Sequence, residues 1–216
     1  MKKLLLLVLL LLNACAPVVT RVDLSGVDKS SSVQVIDLRP ATEKESEVFS
    51  LLITSKGYGI YRHGDQTLDP PMTQLFRRLA YEKLAMGGSV MPSISIYHMV
   101  VYRNIQSTLR KTVANMLGGT TGAATVAENA VNISQSVVDR DQFEKSGAKE
   151  YERAFYTNAE NPGHAPVFVI YIDAAVGKKR VFVKTMAPAK APEGQNAYSL
   201  AVQSSIQYYL SQYVGN

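Results

Sequence analysis

Cysteine is nearly absent from this chain of 216 residues, and Cys15 is the only one. A lone thiol excludes an internal disulfide and any zinc site built on cysteine pairs. Tryptophan is missing altogether, and Asp, Glu, Lys and Arg make up only 19% of the residues against 46% hydrophobic ones. That balance describes an ordinary globular domain, long enough for one core. The longest uninterrupted apolar run, residues 4–12, is far short of the roughly twenty residues a membrane-spanning helix needs. His63, His98 and His164 are scattered without His-x-x-x-His spacing, and no Gly-x-Ser-x-Gly elbow occurs. These absences remove the usual zinc and serine-hydrolase patterns, so no catalytic residue, metal or cofactor is expected.

What is present begins at residue 2. Lys2 and Lys3 precede the Leu/Val stretch 4–12, which ends in Leu12-Asn13-Ala14-Cys15. A short cationic region, an apolar core of this length and a small residue before the cleavage point make a signal segment. Its end resembles the lipobox of prolipoproteins. The small Ala14 lets the backbone enter a peptidase cleft, and the Cys15 thiol is the group there suited to accept diacylglycerol. The expectation is cleavage between Ala14 and Cys15, acylation of Cys15, and a mature chain without residues 1–14. The competing reading is an ordinary secretory signal, or a buried apolar helix, with a cysteine placed by chance. By resemblance to lipoproteins of Gram-negative bacteria, Ala16 in place of Asp implies sorting to the outer membrane, facing the periplasm. Lys2 and Lys3 leave with the signal and no acidic residue does, so the net charge falls from +5 to +3. A mild excess of this kind fits a neighbour of anionic lipid or glycan and gives no support to nucleic-acid binding.

Residues 15–31 carry Pro17, Ser25, Gly26 and Asp28 with little apolar periodicity, and read as a lipidated N-terminus and flexible tether. Residues 32–216 read as a single domain. Within it, 33–38 forms a buried strand, and 48–54 and 58–62 form a hairpin around Lys56-Gly57. Asp69-Pro70-Pro71 signals a helix start with an acidic cap. Met72, Leu75, Phe76, Leu79, Ala80 and Leu84 then recur at helical spacing. Residues 93–103 read as a long central strand with Ile94, Ile96, His98, Val100 and Tyr102 on one face. Residues 151–157, 167–176 and 180–186 read as further strands, the last two a hairpin over Gly177-Lys178-Lys179. Residues 196–213 close the chain as a helix, with Tyr198, Ala201, Val202, Ser205, Ile206, Tyr209 and Tyr213 inward. The expected fold is α+β, a mainly antiparallel sheet with two helices packed on one face. Residues 104–140 stand apart. Four-residue apolar steps from Ile105 to Leu117 lead to Gly118-Gly119-Thr120-Thr121-Gly122, and an Ala/Val-rich stretch over 123–138 follows. They read as an inserted helical hairpin.

The run Val33-Gln34-Val35-Ile36-Asp37-Leu38-Arg39, followed by a helix carrying Leu75, Leu79 and Leu84 before Gly87-Gly88, resembles the YajG-like group of bacterial lipoproteins. The resemblance covers residues 33–103. It implies an envelope lipoprotein and leaves the biochemical role open.

The remaining motifs have plain readings. Ser146-Gly147-Ala148-Lys149 matches the Ser-x-x-Lys of penicillin-recognising enzymes, but its companion appears only as Lys184-Thr185-Met186, so a solvated loop is expected. Gly118, Gly119 and Gly122 lack the Lys-Ser/Thr of a phosphate loop and read as a loop, or as a close-packing site for helices or a second subunit. Asp139, Asp141 and Glu144 lack the glycine and final glutamate of a calcium loop and read as a solvated inter-element loop. Tyr208, Tyr209 and Tyr213 read as helix-packing tyrosines rather than a ligand-facing patch. The functional expectation is a lipid-anchored envelope protein that acts by protein contacts in outer-membrane or periplasmic assembly, without catalysis. It is held to the membrane through its lipid, has an envelope protein partner, binds no nucleic acid, and has the option of forming a homo-oligomer. Two alternatives stand beside it. One is an envelope enzyme acting on peptidoglycan or lipopolysaccharide. The other is a secretion- or pore-associated accessory lipoprotein using residues 104–140 to oligomerise or touch the bilayer.

Overall fold

The computed structural model describes residues 19–22, 32–55, 58–84, 92–105, 133–157, 160–161 and 165–214. Strand β1 (Thr20–Arg21) pairs in parallel with β5 (Leu68–Asp69). Among the described residues the main sheet has seven strands: β2 (Val35–Asp37), β3 (Phe49–Ser55), β4 (Tyr58–His63), β6 (Ile94–Asn104), β7 (Ser134–Val137), β8 (Val167–Val176) and β9 (Lys179–Pro188). Their order is β3-β4-β6-β8-β9-β7, all antiparallel, with β2 lying parallel on β6 as well. The fold is α+β, with three α-helices among the described residues. Strand β8 is buried almost throughout, as its run of Val, Phe, Ile and Tyr requires of a strand covered on both faces. Gly177 takes φ +59° at the first position of the two-residue turn between β8 and β9, a conformation that costs glycine little.

Helices α1 (Met72–Leu84) and α3 (Ala197–Val214) pack on one face of the sheet. Leu75, Phe76 and Ala80 of α1 and Val202, Ile206 and Leu210 of α3 meet Ile94, Ile96, Met99, Val101, Ile170 and Ile172 in one core. Burying each large aliphatic side chain there contributes about 1.5–3 kcal/mol. The inward stripe of α3 is the expected one. Asn196 caps it, its Oδ1 accepting from the backbone N–H groups of Tyr198 (2.9 Å) and Ser199 (3.1 Å). The opposite face carries Val100, Tyr102, Val169, Tyr171, Phe182 and Met186. It is covered by the short α2 (Arg140–Lys145), through Phe143, and by a 3-10 helix, Glu150–Ala154.

Several expectations fail in instructive ways. The stretch 151–157, read as a strand, is largely that 3-10 helix. Its end is closed locally by the Glu152 carboxylate accepting from Lys149 N–H (2.8 Å). Most of the expected hairpin 104–140 (residues 106–132) lies outside the described residues, but its described end is no helix. Ser134–Val137 is strand β7, paired with β9 from Ser134 opposite Met186 to Val137 opposite Val183. The alternation assigned to β6 breaks at a bulge. Ile96 faces Ala174 but His98 faces Asp173, so Tyr97 is the extra residue and Ile94, Ile96, Met99 and Val101 share the helix face. Strand β2 is short and largely exposed rather than buried. Asp69 belongs to β5 and does not cap α1; the Pro71 carbonyl accepts the first helical bond, from Leu75 N–H (3.0 Å). Finally, the stretch 15–31 read as a free tether is docked at Thr20 and Arg21, with Val22 N–H bonded to the Asp69 carbonyl at 2.7 Å.

Candidate functional site

One edge of β6 is shared by two strands running in opposite directions. Strand β2 pairs with Ile94, Ser95 and Ile96, and β4 pairs with Val101 to Asn104. Between them, around the Tyr97 bulge, neither β2 nor β4 reaches the β6 backbone. The 3-10 helix Ala41–Lys44 fills the gap with side chains. Glu43 Oε2 accepts the Met99 N–H at 3.0 Å, and Arg39 Nη1 donates to the Met99 carbonyl at 3.4 Å and the Glu43 carbonyl at 3.2 Å. A carboxylate and a guanidinium thus replace the acceptor and donor that a neighbouring strand would have supplied, which buried backbone polar groups require.

Arg39 is the centre of this plug, its side chain only 1% exposed. It forks onto Asp37 through Nε (3.0 Å) and Nη2 (2.9 Å), and onto Asp65 through Nη1 (2.8 Å) and Nη2 (2.7 Å). Burial opposes its charge, yet hydrogen bonds to Asp65 and Asp37 outweigh that cost and raise its pKa further. Burial likewise pushes the Asp37 carboxyl up, but hydrogen bonds and attraction from Arg39, with Lys44 adding to them, hold it below the ordinary value. On the other side of the plug, Glu43 Oε1 holds His98 Nδ1 at 2.7 Å. The imidazole lies beside the rings of Phe182 (6.2 Å) and Phe143 (6.4 Å). A carboxylate that fixes one ring nitrogen orients the other, which is the arrangement of a positioned base.

Two more arginine networks stitch the same face. Asp173 is fully buried opposite His98 and receives Arg180 through two bonds (2.8 and 2.6 Å), with Arg140 Nε 3.5 Å away. Arg180 also lies 3.5 Å over the Tyr97 ring. Arg62 joins Glu150 at 2.6 Å and Glu45, and stands over Phe49. The buried Asp173 carboxylate is neutralised by Arg180, while the buried Glu43 carboxylate is held by the Met99 N–H and His98. The effect of these networks is to fasten residues 37–47, α2 and the Glu150–Ala154 turn to the sheet.

The free surface of interest is the outer edge of β3, which among the described residues pairs on one side only. Its stretch 48–55 contains no charged residue and no proline. Val48 is 50% exposed, Phe49 51% and Ile53 63%. Natural edges usually carry lysine, proline or a cover that blocks a further strand. This one relies on two register irregularities, between Ser50 and Leu52 and between Ile53 and Ser55.

Ala14, Cys15, Gly118, Gly119, Gly122 and His164 lie outside the described residues. His63 sits between the rings of Tyr198 (4.4 Å) and Phe168 (5.6 Å), and burial, assisted by Arg103, depresses its pKa to about 4. It is a half-buried histidine held between aromatic rings, a setting that favours the neutral form. Ser146 is exposed and its hydroxyl donates to the Phe143 carbonyl (2.8 Å), while Lys149 is exposed as well. Asp139 is no open loop residue; it caps α2 by accepting from Gln142 N–H at 3.1 Å. Tyr209 is buried with its hydroxyl on the Ala174 carbonyl (2.7 Å), and Tyr213 donates to the Lys179 carbonyl (2.9 Å). Sequence reasoning missed Glu43, Asp65, Asp173 and Arg180. The only trace of the plug was Asp37-Leu38-Arg39. Among the described residues no three His, Cys, Asp or Glu gather as metal ligands, and no helix is long and apolar enough to cross a membrane. Comparison of the chain with protein-family models, curated proteins and solved structures gives no match.

Proposed function

We propose that this chain is a lipid-anchored envelope protein of the outer membrane, facing the periplasm, which acts by adding its β3 edge to a partner protein. The anchor rests on Leu12-Asn13-Ala14-Cys15 and the cationic, apolar segment before it. The observation that carries the contact function is the uncharged, half-open β3 edge with Phe49 and Ile53 at the surface. Backbone groups on such an edge give affinity to any added strand, and alternate side chains give selectivity. Arg62 ties the Phe49 end of the edge to Glu45 and Glu150. Catalysis is not part of this reading. Among the described residues Glu43 and His98 form the pair with an enzymatic look, and Glu43 is already committed to the Met99 backbone.

A photo-reactive amino acid placed at Ile53 should give a discrete adduct in intact envelopes. Ser50→Lys on the same exposed strand should remove that adduct while thermal unfolding stays unchanged. An adduct of twice the chain mass would identify a second copy as the partner. If Ile53 yields no adduct, or Ser50→Lys leaves it untouched, the edge is not the contact surface.

A further inference from the structure

The docking of β1 changes what the N-terminal segment can do. Were the chain free from Cys15 to the start of the domain at residue 32, its extended length of about 58 Å would leave the domain free to turn any face to the membrane. The chain is instead held at Thr20, which pairs with Leu68, and at Val22, which packs against the helix-side core and bonds to Asp69. Five residue steps separate Cys15 from Thr20, a reach of at most about 17 Å. A globular domain of this size has a radius of roughly 20 Å. The leash is shorter than the radius, so it selects an orientation.

We propose that the β1–β5 corner is the membrane-facing surface of the domain, its partner a lipid surface, and this rests on the acylation of Cys15 proposed above. The corner has chemistry suited to that contact. Arg21 has an 87% exposed side chain, only loosely paired with Asp69 at 3.8 Å, and Val19 is 42% exposed next to it. An exposed, weakly paired guanidinium beside an apolar side chain fits the phosphate and glycerol layer of a bilayer. The orientation also points α3 along a defined direction. Its first turn adjoins the corner, where Tyr198 Oη lies 3.1 Å from Thr67 Oγ1. Its last turn meets the β8–β9 hairpin, where Lys179 Nζ donates to the Gln212 carbonyl. The two places are separated by about 21 Å of helix.

The test uses the full-length acylated protein, purified from membranes and reconstituted in phosphatidylethanolamine–phosphatidylglycerol vesicles. Because Cys15 is consumed by the lipid, Arg21→Cys and Lys178→Cys each give a single site for a fluorophore. A nitroxide fixed to the lipid headgroup, which quenches at short range, should quench the label at 21 at least about twofold more than the label at 178, in keeping with the leash length. Ten Gly/Ser residues inserted between Pro17 and Val18 should bring the two labels to equal quenching without releasing the protein from the vesicles. Equal quenching in the parent protein, or a preference for 21 that survives the insertion, overturns the orientation. Flotation separates this from the anchor itself: a Cys15→Ser protein that still floats with vesicles refutes the acylation reading. An acylated, floating protein with equal quenching refutes the orientation alone.

Discussion

Replacing Arg39 with methionine removes a guanidinium that closes four carboxylate contacts and two backbone contacts, while keeping most of the side-chain volume. Breaking a buried ion pair by deleting one partner costs about 3–5 kcal/mol, because the other charge stays behind in a poor solvent. Asp65 is left with 18% of its side chain exposed, so it cannot rehydrate well, whereas Asp37 at 34% can do so in part. The lower end of that range, about 3 kcal/mol, is therefore expected at pH 7, a large share of the 5–15 kcal/mol available to a typical domain. Urea unfolding should show it as a fall in midpoint with an unchanged slope. The pH dependence supplies the diagnosis. In the parent protein Asp37 titrates below its ordinary value, so its contribution is complete above about pH 4 and is lost as pH falls through the lower folded value. In the variant Arg39 no longer opposes the burial of Asp37, so the carboxyl titrates higher, and acid relieves the unpaired charge. The stability gap between parent and variant should narrow from pH 7 to pH 4. A loss under about 1 kcal/mol, typical of an exposed pair, or a gap independent of pH, would refute this account of the plug.

Two further perturbations read other parts of the fold. His63 is neutral and depressed to about 4 in the native protein against 6.5 unfolded, so its contribution is complete above pH 6.5 and drains away as pH falls to about 4. Up to about 3 kcal/mol is at stake, and His63→Phe should flatten the unfolding curve over that window; an unaltered pH slope would show that His63 does not stay neutral. At Gly64 an added Cβ would fall inside the backbone of Ser46 and Glu47, whereas at Gly59 it would meet the Tyr61 ring at 2.8 Å. Gly64→Ala should therefore cost about 3 kcal/mol or more, and Gly59→Ala distinctly less because a ring can swing aside. Equal thermal shifts for the two would contradict the packing of the 46–47 segment against Gly64.

Much of this architecture was legible in the sequence, for a physical reason. Helix α3 and the β8–β9 hairpin are specified by local pattern: a stripe at 3.6-residue spacing with an Asn cap, and two long apolar runs around a glycine turn. Helix α1 was legible in the same way. Strand β7 was not, because Ser134-Gln135-Ser136-Val137 has neither strand-rich composition nor alternation and exists only by pairing with β9. The bulge at Tyr97 was invisible too, since one surplus residue leaves apolar groups on both sides and flips the alternation without a trace. The plug could not be assembled from local signals. Asp37-Leu38-Arg39 stood out, but Asp65 lies 26 residues from Arg39 and His98 lies 55 from Glu43. Tertiary structure alone brings those charges together, and none occupies a spacing that periodicity would detect.

The plug also acts as a ratchet pawl for the sheet. Strand β2 holds β6 through three residue pairs, too short a grip to resist sliding by itself. Arg39, locked two residues beyond it onto Asp65 next to the end of β4, allows one alignment of the two collinear strands along β6. Inserting a single residue between Asp37 and Arg39 would carry the guanidinium away from Asp65 while the β2 pairs themselves could still form. The edge of β6 would then be strung with the same strands at an offset, and the loss would appear in the spacing of β2 and β4 before it appeared in either strand.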